Sequence, residues 1–384
     1  MIAYNRESLD NLAVNDEAAR AWEQNLITQD EAVGIAQAYP VNFYSPNIFI
    51  RIGLFLLTAV IILMAFGLFA LVSMGASELG WGLLTTVFSL VTYGALEMVI
   101  RERKHYRSGI DDAMMWASMI FMIAAVNIFS SSMSNLEQAG LVFVLSAYYT
   151  LRFGNLLMAC LVFGSFLAVV FYGLAPMGNM AKTVMPFLLM AISLAVYWIM
   201  TRYKNREQLR HYTNCCTCVE ILALVVLYVA GNYYVVREVS NSMFDLHLRD
   251  GETIPGGWVF WVLTVVIPVV YIVRGVQKKN VILLRTGLLL VAGIVFTVRY
   301  YYDVMPLEIV MTIGGAILIV FAYGVTKYLT PPKYGFTHAE VNNGNLLELE
   351  SLVVAETFGE AAPEEKRFEF GGGTGGGAGA SGEY

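Results

Sequence analysis

A chain of 384 residues that is 57% hydrophobic and 14% charged, with a mean hydropathy of +0.61, carries more apolar surface than a soluble fold of that size can hide. Lipid must be its solvent. The formal charge of -6 conceals a division, with basic residues in short loops and acidic ones towards the two ends, and no basic block interleaved with aromatics stands apart from those loops, which argues against nucleic acid as a partner.

The first residues are polar and acidic rather than basic and then apolar, so no cleavable signal peptide is expected. Residues 1–46 are expected to form a small cytoplasmic helical hairpin. Its first helix would gather Leu9, Leu12, Ala13, Ala19 and Trp22 on one side. Its second opens on Thr28-Gln-Asp-Glu31, the spacing of a capping box, in which hydroxyl and carboxylate each satisfy a free backbone N–H. It ends before Tyr39-Pro40. So small an apolar side cannot sustain a core of its own, and the hairpin must lean on the membrane domain or on a partner.

A transmembrane helix needs roughly 20 apolar residues to cross ~30 Å of hydrocarbon. Ten stretches meet that length, at 49–73, 79–100, 112–130, 135–151, 154–175, 183–201, 214–236, 257–275, 280–299 and 306–328, giving an all-α membrane domain over 47–329. The fourth is short. Positive charge collects after the second span (Arg101, Arg103, Lys104, Arg107), the sixth (Arg202, Lys204, Arg206, Arg210) and the eighth (Arg274, Lys278, Lys279, Arg285). Short loops of this kind stay in the cytoplasm, which places the chain in a cytoplasmic membrane with both termini inside. Trp81, Tyr233, Tyr234, Trp258, Trp261 and Tyr300 to Tyr302 would belt the outer rim, and Trp116, Tyr148, Tyr149, Trp198 and Tyr203 the inner one.

A small motif recurs at the cytoplasmic start of the odd-numbered spans: Arg51-Ile-Gly53, Arg107-Ser-Gly109, Arg152-Phe-Gly154 and Arg285-Thr-Gly287, with Arg210 alone before the seventh. One reading is five two-helix hairpins in series; the other is that the positive-inside rule and frequent membrane glycine produce the pattern by chance. In either case each Arg is expected to snorkel towards lipid phosphate while its Gly admits a neighbouring helix.

Ionisable and polar residues at membrane depth are functional candidates by default, and here they are Glu97, Asn127 and Glu220. Glu97 stands four residues before Arg101, a spacing that allows a pair on one helix. Asp111 and Asp112 open the third span, where a helix N-terminus favours negative charge. An interhelical hydrogen bond would account for Asn127. His211, Cys215 and Cys218 follow i, i+4, i+7 and would share a helical stripe of metal-capable ligands, although one helix wraps an ion poorly and cysteine is also a good small apolar residue. Neither a metal nor another cofactor is expected. Pro186 and Pro268 interrupt the sixth and eighth spans, yet their counterparts in a five-plus-five inverted repeat, the first and third, are free of proline. No catalytic motif is evident.

Pro331-Pro332 begins an acidic tail over 330–384. Within it, Leu346, Leu349, Leu352 and Val353 oppose Glu348, Glu350 and Glu356, a pattern suited to a protein contact rather than to anionic lipid. The Gly-rich end from Phe368 to Tyr384 reads as a flexible terminus that a partner could capture.

The layout resembles a group of uncharacterised bacterial multi-pass proteins that carry a membrane domain of unknown function behind an N-terminal helical hairpin. Leu26-Ile-Thr28 at the hairpin turn, Tyr39-Pro40 and Arg51-Ile-Gly-Leu-Phe-Leu-Leu57 carry the likeness, over about the first sixth of the chain. The tail is similar to the Phe-Gly-Gly-Gly termini ending in an aromatic on some bacterial membrane-anchored proteins, with Glu-Tyr here in place of Ser-Trp. These resemblances imply an architecture and no catalytic residue. The expected function is a non-enzymatic scaffold or regulator that meets protein partners through its cytoplasmic ends, the lipid bilayer being its other partner. The alternative is a ten-helix transporter of a small solute or lipid, which would need a shared polar cavity near mid-membrane.

Overall fold

Helix α1 (Arg6–Glu23) starts where the Asn5 side chain accepts the Ser8 N–H, and α2 (Gln29–Ala38) starts on the Thr28–Glu31 capping box, complete in both directions. A side-chain cap also opens four of the long helices. Asn47 caps α3 (Ile48–Val72), Ser77 caps α4 (Glu78–Glu102), Ser134 caps α6 (Asn135–Phe153) and Asn155 caps α7 (Leu156–Leu174). Between them α5 (Ile110–Phe129) follows Gly109, whose φ of +89° turns the chain sharply into the helix. The remaining helices are α8 (Asn179–Tyr203), α9 (Thr213–Gly231), α10 (Tyr233–Phe244), α11 (Gly257–Lys278) and α12 (Val281–Tyr301). This computed structural model describes residues 2–301 apart from 131, 205, 245–252 and 255, together with scattered positions between 309 and 327. No strand occurs among the described residues.

Eight of these helices are long and apolar enough to cross a bilayer, and the protein is a multi-pass membrane protein. They correspond to α3, α4, α5, α7, α8, α9, α11 and α12. The fourth expected span is the 19-residue α6, packed on α7, whose lower apolarity reflects Glu137 and Arg152 near its two ends. The tenth expected span, 306–328, is described only at scattered positions, and the tail 330–384 lies outside the described residues.

The expected seventh span, 214–236, is not continuous. Asn232 leaves the helix with extended backbone, and its Oδ1 accepts the N–H groups of Tyr234 and Val235 to start α10 as a separate element. An Asn after Gly231 lowers the cost of this break, because the side chain replaces the backbone partners lost there.

Pairing within the bundle follows the basic loops. The most extensive contacts join α4 to α5, α6 to α7, α8 to α9 and α11 to α12, each pair being linked at the basic end. The packed hairpins are therefore offset by one helix from the Arg-led hairpins expected from the motif. Glycine permits the closest of these approaches: a Cβ on Gly275 would lie 2.7 Å from the Leu284 backbone nitrogen, and one on Gly287 would lie 2.9 Å from an Ile272 side-chain carbon. Gly53 faces open space, so the expected role of a close helix approach fails there. Gly154 is the left-handed cap that ends α6, at φ +60°.

The N-terminal hairpin belongs to the same compact unit as the described long helices. Tyr4 and Leu9 join a buried cluster with Leu96, Ile100, Met115, Phe153 and Met158 from α4, α5, α6 and α7. Full burial of a Leu contributes about 1.5–3 kcal/mol, enough to hold a segment with few other apolar contacts. The side of α1 that packs is Ser8, Leu9 and Ala18. Ala13, Ala19 and Trp22, expected on that side, are exposed, because the Ala3 N–H on the Arg152 carbonyl and the buried Tyr4 anchor the start of the helix with Leu9 turned inward.

Candidate functional site

The ends of α4, α5, α6 and α7 meet the N-terminal hairpin in a polar junction made of linked carboxylate clusters. Three of the five motif arginines end on a carboxylate from another element, so the motif is a set of tethers. In the first cluster Arg51 places Nη2 2.6 Å and Nε 3.2 Å from Asp112 Oδ2. Asp112 Oδ1 accepts Asn155 Nδ2 at 2.8 Å, while the Asn155 oxygen caps α7. One carboxylate thus joins α3, α5 and α7. The Gly109 backbone lies against the Arg51 carbonyl, the closest helix approach at this junction.

The second cluster centres on Asp111, which is buried beside Tyr4. Its Oδ1 accepts the Ser108 N–H at 2.9 Å and the Ser108 hydroxyl at 3.1 Å, and its Oδ2 accepts the Arg107 N–H at 2.8 Å and the Tyr4 hydroxyl at 3.3 Å. These bonds hold the loop through Arg107, whose φ is +49°. The Arg107 guanidinium lies over the Tyr106 ring, 5.4 Å from its centroid. The Tyr106 ring stacks on Phe43 and meets Tyr4 edge-on, both at 5.0 Å between centroids. Burial, then the nearby Asp111 and Asp112 charges, push the Tyr4 hydroxyl well above its usual range, so it stays a donor. His105 Nδ1 lies 2.8 Å from the Ser108 hydroxyl. Burial pulls its imidazole below the ordinary value, against the upward effect of Asp111, and the adjacent Arg103 adds to the depression. A cavity of ≈ 20 Å³ lined by Tyr4, Arg107, Asp111, Asp112 and Asn155 separates the two clusters, with room for one water.

In the third cluster Glu97 receives Arg152 through two bonds, Nε to Oε1 and Nη2 to Oε2, both 2.7 Å. Arg101 reaches the same carboxylate at 3.1 Å from the solvent side, the pair its spacing predicted, and the Tyr93 hydroxyl donates to it at 2.9 Å. The Arg152 carbonyl in turn accepts the Ala3 N–H at 2.8 Å. A groove of ≈ 560 Å³ lined by Tyr93, Glu97, Arg101, Tyr148, Leu151 and Arg152 opens beside it. Further round the basic end, Asp10 of α1 pairs with Arg210 and lies 3.6 Å from His211 Nε2.

The other candidates do not join this junction. Glu220 is fully buried and pairs with Lys204 at 2.7 Å and with the Thr201 hydroxyl at 3.0 Å, tying α9 to α8. Asn127 donates to the Ile123 carbonyl of its own helix at 2.8 Å, not across helices as expected. His211, Cys215 and Cys218 take separate partners. His211 sits in a 3-10 turn, Glu207–Tyr212, that precedes α9, so it leaves the α-helical stripe; Cys215 donates to the Gly154 carbonyl at 3.1 Å and Cys218 lies against Cys160. Among the described residues no group of three His, Cys, Asp or Glu side chains could hold a metal. Gly287 packs within the α11–α12 pair beside Arg285.

Sequence reasoning missed a second polar junction at the opposite end of the bundle. Asn232 Nδ2 donates to the Tyr228 and Thr297 hydroxyls, both at 2.9 Å, and Thr264 Oγ1 accepts the Tyr233 N–H at 3.0 Å. The signal was the Gly231-Asn232 pair inside an otherwise apolar run. The chain matches no protein-family model, and neither a curated protein nor a solved structure matches it. Its function has to be read from these clusters.

Proposed function

We propose that this protein is a non-enzymatic scaffold or regulator of the cytoplasmic membrane, spanning it ten times with both termini inside, whose N-terminal hairpin and acidic tail meet protein partners. The observation that carries this reading is the fixed union of hairpin and bundle. Tyr4, Asp10 and the Ala3 N–H all end on groups of the basic loops or of the helix ends beside them, so a contact on the hairpin is transmitted to α5, α6 and the turn before α9. Outside that union, Trp22, Leu26, Val33 and Tyr39 remain exposed on the hairpin, with Leu26 at 72%. Large apolar side chains exposed on a polar element suit protein contact. The basic loops on one face support the assigned orientation.

Against the transporter reading, Glu97, Asn127 and Glu220 point into three different surroundings, and the first and last are neutralised by partners at the basic end of their helices. Affinity capture from membranes compares the full chain, a chain lacking residues 331–384 and a full chain carrying Trp22→Glu and Leu26→Glu. The reading expects partners that are lost with one or both changes. The same proteins, or none, in all three samples would refute it.

A further inference from the structure

The four cysteines are free, yet two of them on different helices face one another: Cys160 Sγ of α7 lies 3.0 Å from Cys218 Sγ of α9. We propose that Cys160 and Cys218 are a redox pair which hydrogen peroxide converts to a disulfide that locks α7 to α9. A disulfide sets its sulfurs about 2.05 Å apart, so closure asks each side chain to move by roughly half an ångström, with no change of helix packing. The other two thiols are placed for different work. Cys215 is held by the Gly154 carbonyl, and Cys216 lines the apolar groove between α6, α7, α8 and α9.

Depth favours a small oxidant. Cys160 is four residues beyond Leu156 and Cys218 five beyond Thr213, so with a rise of 1.5 Å per residue both lie about 6–8 Å into their helices from the basic end. An uncharged peroxide reaches that depth, whereas a charged thiol reductant is disfavoured there, and the two sulfurs are only about half-buried in the helix packing. In the first step one sulfur takes an oxygen from the peroxide, becoming a sulfenic acid as the O–O bond breaks and water leaves. In the second, the other sulfur attacks the sulfenic sulfur, the S–S bond forms, and the hydroxyl leaves with the thiol's proton as a second water. Two thiols are oxidised by two electrons in all, and one peroxide is reduced to two waters.

The bond would fix the helix whose Asn155 cap holds Asp112 of α5 to the helix that follows Arg210, the partner of Asp10 in the N-terminal hairpin. The test uses the full-length protein in lipid nanodiscs, reduced, exposed to hydrogen peroxide, acid-quenched, unfolded in detergent and labelled with a maleimide polymer that adds a gel shift per free thiol. Reduced protein should take four labels and oxidised protein two, with four restored by dithiothreitol once the protein is unfolded. Peptide mapping should join the segment containing Cys160 to that containing Cys218. A Cys215→Ser, Cys216→Ser chain should fall from two labels to none, and Cys160→Ser should keep all of its three. Four labels after peroxide, a cross-link to Cys215 or Cys216 in place of this one, or a loss that dithiothreitol does not reverse would overturn the proposal.

Discussion

The carbonyl oxygen of Arg51 occupies the space that a Cβ on Gly109 would need, and the guanidinium of the same Arg51 reaches Asp112 three residues further on. Backbone and side chain of one residue thus grip the start of α5 from two sides. Gly109 also holds a φ of +89°, where any other residue is strained by about 1–2 kcal/mol. Gly109→Ala should therefore cost more than about 2 kcal/mol, strain and collision acting together. Gly53→Ala, in open space within a helix, should be neutral or stabilising by up to about 1 kcal/mol. Thermal unfolding of the purified protein in detergent separates the two; equal melting shifts would sink the argument.

Arg152 and Arg101 hold the same carboxylate from different depths. The Arg152 side chain is 23% exposed against 66% for Arg101. Removing Arg152 leaves a mostly buried Glu97 with the Tyr93 hydroxyl and the solvent-screened Arg101, so Arg152→Ala should cost about 2 kcal/mol, short of the roughly 3–5 kcal/mol of a fully unpaired buried charge. Arg101→Ala should cost less than about 1 kcal/mol, as solvent already screens it. In the Glu97→Gln background the Arg152 penalty should shrink by more than half, which a double-mutant cycle on melting temperature would show.

These contrasts mark how far the sequence could be read. Local chemistry was legible: the Thr28–Glu31 capping box and the Glu97–Arg101 pair both depend on spacing along one helix, and both are present. Membrane class was legible too, because apolar runs of this length have lipid as their one workable solvent. The partners of Arg51, Arg152 and Arg210 were not, since they lie 61, 55 and 200 residues away and helix packing brings them together. The same blindness assigned Asp111 and Asp112 to a helix dipole, although each is taken up by several specific donors. Hydropathy also ran the seventh span past Asn232, because a single polar residue hardly moves an average taken over a whole span.

His105 gives the basic loop a pH dependence of known sign. Its folded value is depressed by burial, so the native loop prefers the neutral ring while the unfolded chain takes up a proton more readily. The stability it contributes is fully present above the unfolded value of about 6.5 and is lost as pH falls from there towards the folded value. Over that window the wild type should lose more stability than His105→Gln, which keeps a polar side chain but does not titrate. Parallel curves for the two proteins would contradict this.

Docking of the hairpin should depend on packing more than on its exposed ion pair. Leu9 is buried, and Leu9→Ala should weaken docking by about 2–4 kcal/mol. The Asp10–Arg210 pair has side chains 34% and 59% exposed, and Asp10→Ala should cost under about 1 kcal/mol. Limited proteolysis at the turn between α1 and α2 and before α3 reports both, with Leu9→Ala cut fastest. Faster cutting of Asp10→Ala would reverse the ranking.

The union of hairpin and bundle is tested most directly by hydrogen–deuterium exchange on the full chain in nanodiscs, comparing wild type with Tyr4→Phe and Leu9→Ala together. The wild type should protect the amides of residues 3–10 and 104–111 to a similar degree, and the double variant should lose both sets of protection at once. Free exchange of residues 3–10 in the wild type, or loss confined to them in the variant, would contradict the account.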